Sequence, residues 1–174
     1  MKKFTFIFIL FTNILSSQEI LRIDDSTSSI SYSGKHFLHN WDATNENISG
    51  LIELKNNQIS KIGVLAKVAD FKSGNSSLDS NSFRVLDALK IPNIIFRSTQ
   101  IVETLDKISV TGTISFHNVE KDINVVLDKS TNNEIISLNG RFIIKLSDFN
   151  VKRPSLLLQK INDEIEVQIN LIFN

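Results

Sequence analysis

Apolar and polar residues alternate along most of this chain. Ile108, Val110, Gly112, Ile114 and Phe116 interleave with Ser109, Thr111, Thr113 and Ser115. Near the end, Ile165, Val167, Ile169, Leu171 and Phe173 interleave with Glu164, Glu166, Gln168 and Asn170. A period of two sends neighbouring side chains to opposite faces, so each segment predicts a strand with one apolar and one wetted face. Weaker alternation predicts strands over 48–54, 62–68 and 123–127, and residues 29–33 and 37–43 read as strands near the start. The total is about eight, spaced as an antiparallel meander or barrel spaces its strands.

Asn139-Gly140 lies between apolar runs, where Asn-Gly usually signals a two-residue hairpin turn. Such a turn would put Arg141 and Lys145 on the apolar face. Reading straight through keeps Ile136, Leu138, Gly140, Phe142, Ile144 and Leu146 together and leaves Ser137, Asn139, Arg141, Ile143 and Lys145 opposite. The expectation is therefore one long strand over 134–146, with Gly140 as a bend or bulge.

One segment departs from period two. Residues 80–89 predict a short helix with Asp79 or Ser80 as its cap and Phe83, Leu86 and Leu89 packed on the barrel. Pro92 disfavours helix at Ile91 and is expected to end it.

The first residues read differently again. Lys2-Lys3 precede an uncharged run from Phe4 to Leu15, and Ser16-Ser17 offer a cleavage site, which is the layout of a secretory signal peptide. The run is shorter than the roughly 20 residues of a membrane span. The expectation is a signal peptide over 1–17, a single domain over 18–174 starting at Gln18 or Glu19, and a periplasmic or secreted location. The chain has no cysteine, so neither a lipoprotein anchor nor a disulfide is available. Lys+Arg and Asp+Glu stand at 19 each, which leaves no basic surplus for nucleic acid.

The residues of catalysis do not assemble in the sequence. His36 and His39 fall on opposite faces of their expected strand, and His117 sits in a turn. No Gly-x-Ser-x-Gly elbow or Gly-rich phosphate loop occurs. No catalytic residue, metal ligand or cofactor is assigned, and the chain is not expected to be an enzyme. The uncharged inward faces are the remaining candidate. A barrel of about eight strands is either filled by its own side chains or holds one small ligand, and periodicity does not separate the two.

Three blocks carry a likeness to a known family. The first runs from Leu78-Asp79 through Leu86-Asp87-Ala88-Leu89-Lys90-Ile91-Pro92-Asn93-Ile94-Ile95-Phe96-Arg97-Ser98-Thr99. The second is the hairpin Val110-Thr111-Gly112-Thr113-Ile114-Ser115-Phe116-His117-Asn118-Val119-Glu120-Lys121-Asp122-Ile123. The third is Leu146-Ser147-Asp148-Phe149-Asn150-Val151, followed by Asp163-Glu164-Ile165. In this order and spacing the chain resembles the YceI-like family of exported, lipocalin-like, polyisoprenoid-binding proteins. Asn118 and Asn150 stand where that family usually has glycine, and asparagine tolerates the left-handed conformation those turns need.

The resemblance implies an all-β fold: an eight-stranded antiparallel lipocalin-like barrel with one short helix inserted between strands. It also implies a ligand, a polyprenyl lipid or isoprenoid quinone, held inside. The residues that would line it are Phe37 and Trp41 near the start and Phe96, Val110, Ile114 and Phe116 on central strands. Val125, Leu138, Phe142, Ile144, Val167 and Ile169 complete the set. The alternative is a filled barrel acting as a structural or protein-interaction module.

Overall fold

The computed structural model describes residues 18–35, 40–156 and 159–174. The expected signal peptide, with His36, Phe37 and His39, lies outside the described residues.

The chain opens with four strands, β1 (Gln18–Arg22), β2 (Ser29–Lys35), β3 (Asn40–Asn45) and β4 (Ile48–Lys55). Next come β5 (Gln58–Lys67), a 3-10 turn at Val68–Asp70 and the helix α1 (Ser76–Val85). Four long strands follow: β6 (Asn93–Glu103), β7 (Lys107–Phe116), β8 (Val119–Asn132) and β9 (Ile135–Lys145). A second 3-10 turn (Leu146–Phe149) leads to the small pair β10 (Ser155–Leu156) and β11 (Gln159–Lys160), and β12 (Glu164–Phe173) ends the fold.

Ten strands form one antiparallel sheet in the order β1-β4-β5-β6-β7-β8-β9-β12-β2-β3, and β10 and β11 pair separately. The count differs from about eight because two arms are interrupted. β1 pairs with β4 from Gln18↔Lys55 to Arg22↔Leu51, and β2 pairs with β3 from Ile30↔Asn45 to Lys35↔Asn40. These two ladders are successive stretches of one long bent hairpin. Counted as arms, the wall has the eight strands that the alternation suggests. β12 pairs along its length with β9, and its other edge meets β2 from Glu166↔Ser33 to Asn170↔Ser29. Arg22 and Asn174 then exchange backbone hydrogen bonds of 2.9 and 3.0 Å. The sheet therefore curls until its last strand joins its first arm, which is how an antiparallel barrel disposes of its edges.

The turns follow the chemistry of asparagine. His117 (φ 51°) and Asn118 (φ 59°) are both left-handed between β7 and β8, as are Asn56 and Asn57 between β4 and β5. Two successive positive φ values match the twist of flanking strands, and asparagine accepts that geometry at little cost. Asn150 is left-handed as well, at φ 56°. Asn139-Gly140 makes no turn, since the β9–β12 ladder runs straight through Gly140↔Ile169. No register shift marks Gly140 in that ladder, so no bulge lies there. The shifts fall at Glu53/Leu54 and at Ser98/Gln100 instead.

The helix begins and ends earlier than expected. Asn75 is its cap, with an extended backbone and a side-chain oxygen that accepts from the N–H groups of Ser77 (3.0 Å) and Leu78 (3.2 Å). Asp79 sits inside the first turn and accepts from the N–H and hydroxyl of Ser73. The helix stops because Asp87 turns left-handed (φ 48°), five residues before Pro92 can act. Leu89 therefore lies beyond the helix and is 83% exposed rather than packed on the barrel.

The interior is divided. Ile52, Ile108, Leu138 and Phe173 are fully buried in a large cluster that fills one end of the barrel. A second cluster near α1 gathers Ile114, Phe116, Leu146, Phe149, Val151 and Ile165.

Candidate ligand cavity

Between these clusters the barrel is hollow, with a cavity of about 610 Å³. That lies within the range of roughly 300–1,000 Å³ common for small-molecule sites. Most of its wall is apolar, for a reason legible in the strands. Every inward position from Val110 through Ile114 to Phe116 on β7 is uncharged, and the same holds for Leu138, Phe142 and Ile144 on β9.

The structure places the expected residues on this one wall. Val110, Val125 and Leu138 form the end nearest the filled cluster. Phe96, Ile114 and Phe116 line it from β6 and β7, and Phe142 and Ile144 from β9. Val167 and Ile169 of β12 and Trp41 of β3 complete it, while Phe37 lies outside the described residues. Phe96 can lie over β7 because its neighbour is Gly112. A Cβ there would stand 2.5 Å from the Phe96 ring and 2.4 Å from the Arg97 carbonyl oxygen.

Other wall residues lie outside the lining set that the resemblance implies, although the sequence packs Phe83 and Leu86 on the barrel. Leu78, Phe83 and Leu86 line the cavity from α1 and the turn that follows it, with Phe71, Pro154 and Ile161 nearby from irregular segments. None of the helix's residues is buried, because its apolar side looks onto a hollow rather than a packed core. Tyr32 is also missed, although its alternation with Ile30 on β2 carries a signal: both face the cavity.

Polar groups gather at the α1 end. The Tyr32 ring tilts against Phe71 with centroids 5.4 Å apart. Ser82 of α1 lines the cavity as well. Burial raises the Tyr32 phenol above its usual range, the nearby carboxylates of Asp79 and Asp42 add to this, and the Ser82 hydrogen bond opposes it. The phenol therefore stays protonated at neutral pH.

The segments around this end are tied down locally. The Leu146 N–H donates to the Asp163 carbonyl at 2.9 Å, and the His117 Nδ1 lies 3.0 Å from the Phe149 carbonyl oxygen. Since a carbonyl only accepts, that nitrogen carries the proton. Among the described residues, no three His, Asp or Glu side chains converge as metal ligands would. The arrangement offers an apolar chain a place to be buried and offers hydrogen bonds at one end only.

The YceI-like domain family matches residues 21–173. The chain belongs to the YceI-like family. Solved structures agree on the fold. BcnA of Burkholderia cenocepacia is similar at 20% identity over 86% of this chain and 98% of its own, with a TM-score of 0.78. A polyisoprenoid-binding domain from Saccharophagus degradans, implicated in plant cell wall breakdown, shares 14% identity over 88% of this chain and 97% of its own, at a TM-score of 0.74. The Campylobacter jejuni YCEI protein shares 20% identity over 98% of this chain and 90% of its own, at 0.58. No curated protein sequence matches. The motif blocks of this YceI-like chain now have places: the first spans α1 to β6, the second is the β7–β8 hairpin, and the third joins the 3-10 turn to β12.

Proposed function

We propose that this YceI-like protein is an exported carrier that holds an isoprenoid-type lipid inside its barrel and catalyses no reaction. The observation that carries the reading is the hollow of about 610 Å³ behind an almost wholly apolar wall. Burying a chain there gains about 0.8 kcal/mol per methylene before ordering costs, so length and not headgroup supplies most of the affinity. The polyisoprenoid-binding domain from Saccharophagus degradans supports the ligand class. A barrel filled by its own side chains describes only the end around Ile52 and Phe173.

Export rests on the basic start, apolar run and small residues of positions 1–17. Expression of the full chain should give a periplasmic or secreted form whose N-terminal sequence begins at Gln18 or Glu19.

Native mass spectrometry of that mature form tests the carrier reading. A bound mass that organic extraction releases as a polyprenyl compound, at near-stoichiometric amount, is expected. Protein that carries no lipid, and gains no thermal stability from added polyprenyl quinone, overturns it.

A further inference from the structure

The barrel wall is interrupted beside the cavity. The chain leaves the sheet at Lys72, whose N–H and carbonyl each bond Thr44 at 2.9 Å. It rejoins the sheet at Asn93, which pairs with Lys67 in the β5–β6 ladder. The Val68 N–H donates to the Pro92 carbonyl at 2.8 Å and pins the return. Residues 73–92 span the interval between these fixed points and carry α1 across the cavity. The opposite end of the barrel is filled around Ile52 and Phe173, so a ligand enters from the α1 side.

The two ends of α1 are held unequally. At the C-terminal end, Val85 and Leu86 pack against the second cluster and Ala88 is buried. Nearer the start, Leu78 and Phe83 line the cavity and join neither packed cluster. The hydrogen bonds that shape the first turn are local: Asn75 caps it, and Asp79 accepts from Ser73. They tie the helix to its own segment rather than to the barrel. A left-handed residue stands beyond each end, Gly74 (φ 76°) and Asp87 (φ 48°). Gly74 has open space around it, since a Cβ there would meet nothing within 4 Å. Residues at element ends with room to turn serve as hinges, and a piece with few buried apolar contacts is the part of a fold that opens most readily.

We infer that α1 is a flap over the cavity: it swings about its packed C-terminal end, with Gly74 as the free joint, and its opening limits how fast a ligand enters and leaves. The assignment rests on the lipid-carrier reading above and adds the route by which the cavity is filled.

Stopped-flow binding of a short-chain prenyl benzoquinone to the processed, delipidated protein tests it. Trp41 is the sole tryptophan and lines the cavity, so quenching of its emission reports arrival of the quinone. Two variants loosen the closed flap by different means. Asn75→Ala removes the helix cap, and Gly74→Ala disfavours the left-handed joint. Neither residue lines the cavity. Each should raise the entry and exit rates together by about fivefold, the effect of one lost cap, and leave Kd within about twofold of the wild type. Hydrogen exchange at the amides of residues 77–85 should quicken in step, with those of β7 unchanged. Entry and exit rates that stay at wild-type values in both variants overturn the flap while leaving the carrier reading in place. A faster exit alone, with Kd weakened to match, makes α1 a fixed contact and overturns it too. If the wild-type protein binds no quinone, the carrier reading itself falls, and the flap with it.

Discussion

Trp41 lies flat against Gly34, its direct partner across the β2–β3 ladder, so closely that a Cβ on Gly34 would stand 2.2 Å from the indole ring. The missing side chain of one residue is what seats the other on the cavity wall. Gly34→Ala should displace the indole and cost about 1–3 kcal/mol, as overpacking at a tight contact does. Trp41 is the sole tryptophan, so its emission reports the displacement directly. An unchanged spectrum and an unchanged denaturation midpoint would show that the ring has room to spare.

The divided interior makes two classes of core residue separable. Ile52 is fully buried in the filled end and does not line the cavity. Ile52→Ala should cost about 2–5 kcal/mol, because it removes methyl groups and opens a void in packed surroundings. Ile144 borders space that is already empty, so Ile144→Ala should cost clearly less in the same urea titration. Equal losses would argue that the barrel is packed throughout in solution.

Glu103 and Lys129 form an ion pair at 11% and 13% side-chain exposure, and Glu103 also accepts from the Ile59 N–H at 2.9 Å. Lys129 follows Ile123, Val125 and Leu127 on the inward side of β8, so it is a charge at the end of an apolar file. Glu103→Ala should destabilise by roughly 3–5 kcal/mol, since it strands that charge. Pairing Glu103→Leu with Lys129→Met should recover most of the loss. Chemical denaturation of the two variants, compared with the wild type, decides it.

Acid should loosen the α1 end first. The Ser147 hydroxyl is the main group that holds the Asp163 carboxyl below its ordinary 3.8, and the Ser73 hydroxyl does the same for Asp79. A carboxyl whose pKa is lowered on folding adds stability that is complete above its unfolded value and is lost as pH falls through its folded one. Thermal stability should therefore be insensitive to these groups at neutral pH and decline below about pH 4. Asp163→Asn should flatten part of that decline. A variant whose acid profile overlays the wild type would remove the assignment. Both carboxylates are only half-buried, so the effect is expected to be small.

The strands were the most legible part of the molecule. Alternation names β7, β9 and β12 almost to their ends, because every second residue must choose between water and interior. The inward faces name most of the cavity wall for the same reason. The helix was less legible. Its start depends on which of several polar residues caps it, and Asn75, Asp79 and Ser80 all suit that role by type. Its end depends on a left-handed Asp87, which proximity to Pro92 obscured. The irregular segments that bring Phe71, Pro154 and Ile161 to the cavity carry no period at all.

Residue pattern alone therefore gave an antiparallel meander or barrel with largely apolar inward faces, since solvent acts on each position locally. It did not settle whether that interior is full. Hollowness depends on how far the arms stand apart, where β12 meets β2, and how α1 lies across one end. These are distances between residues far apart in the chain, and side-chain volumes summed along a strand do not encode them. The same holds for Tyr32 and Phe71, whose rings the curl of the sheet brings together.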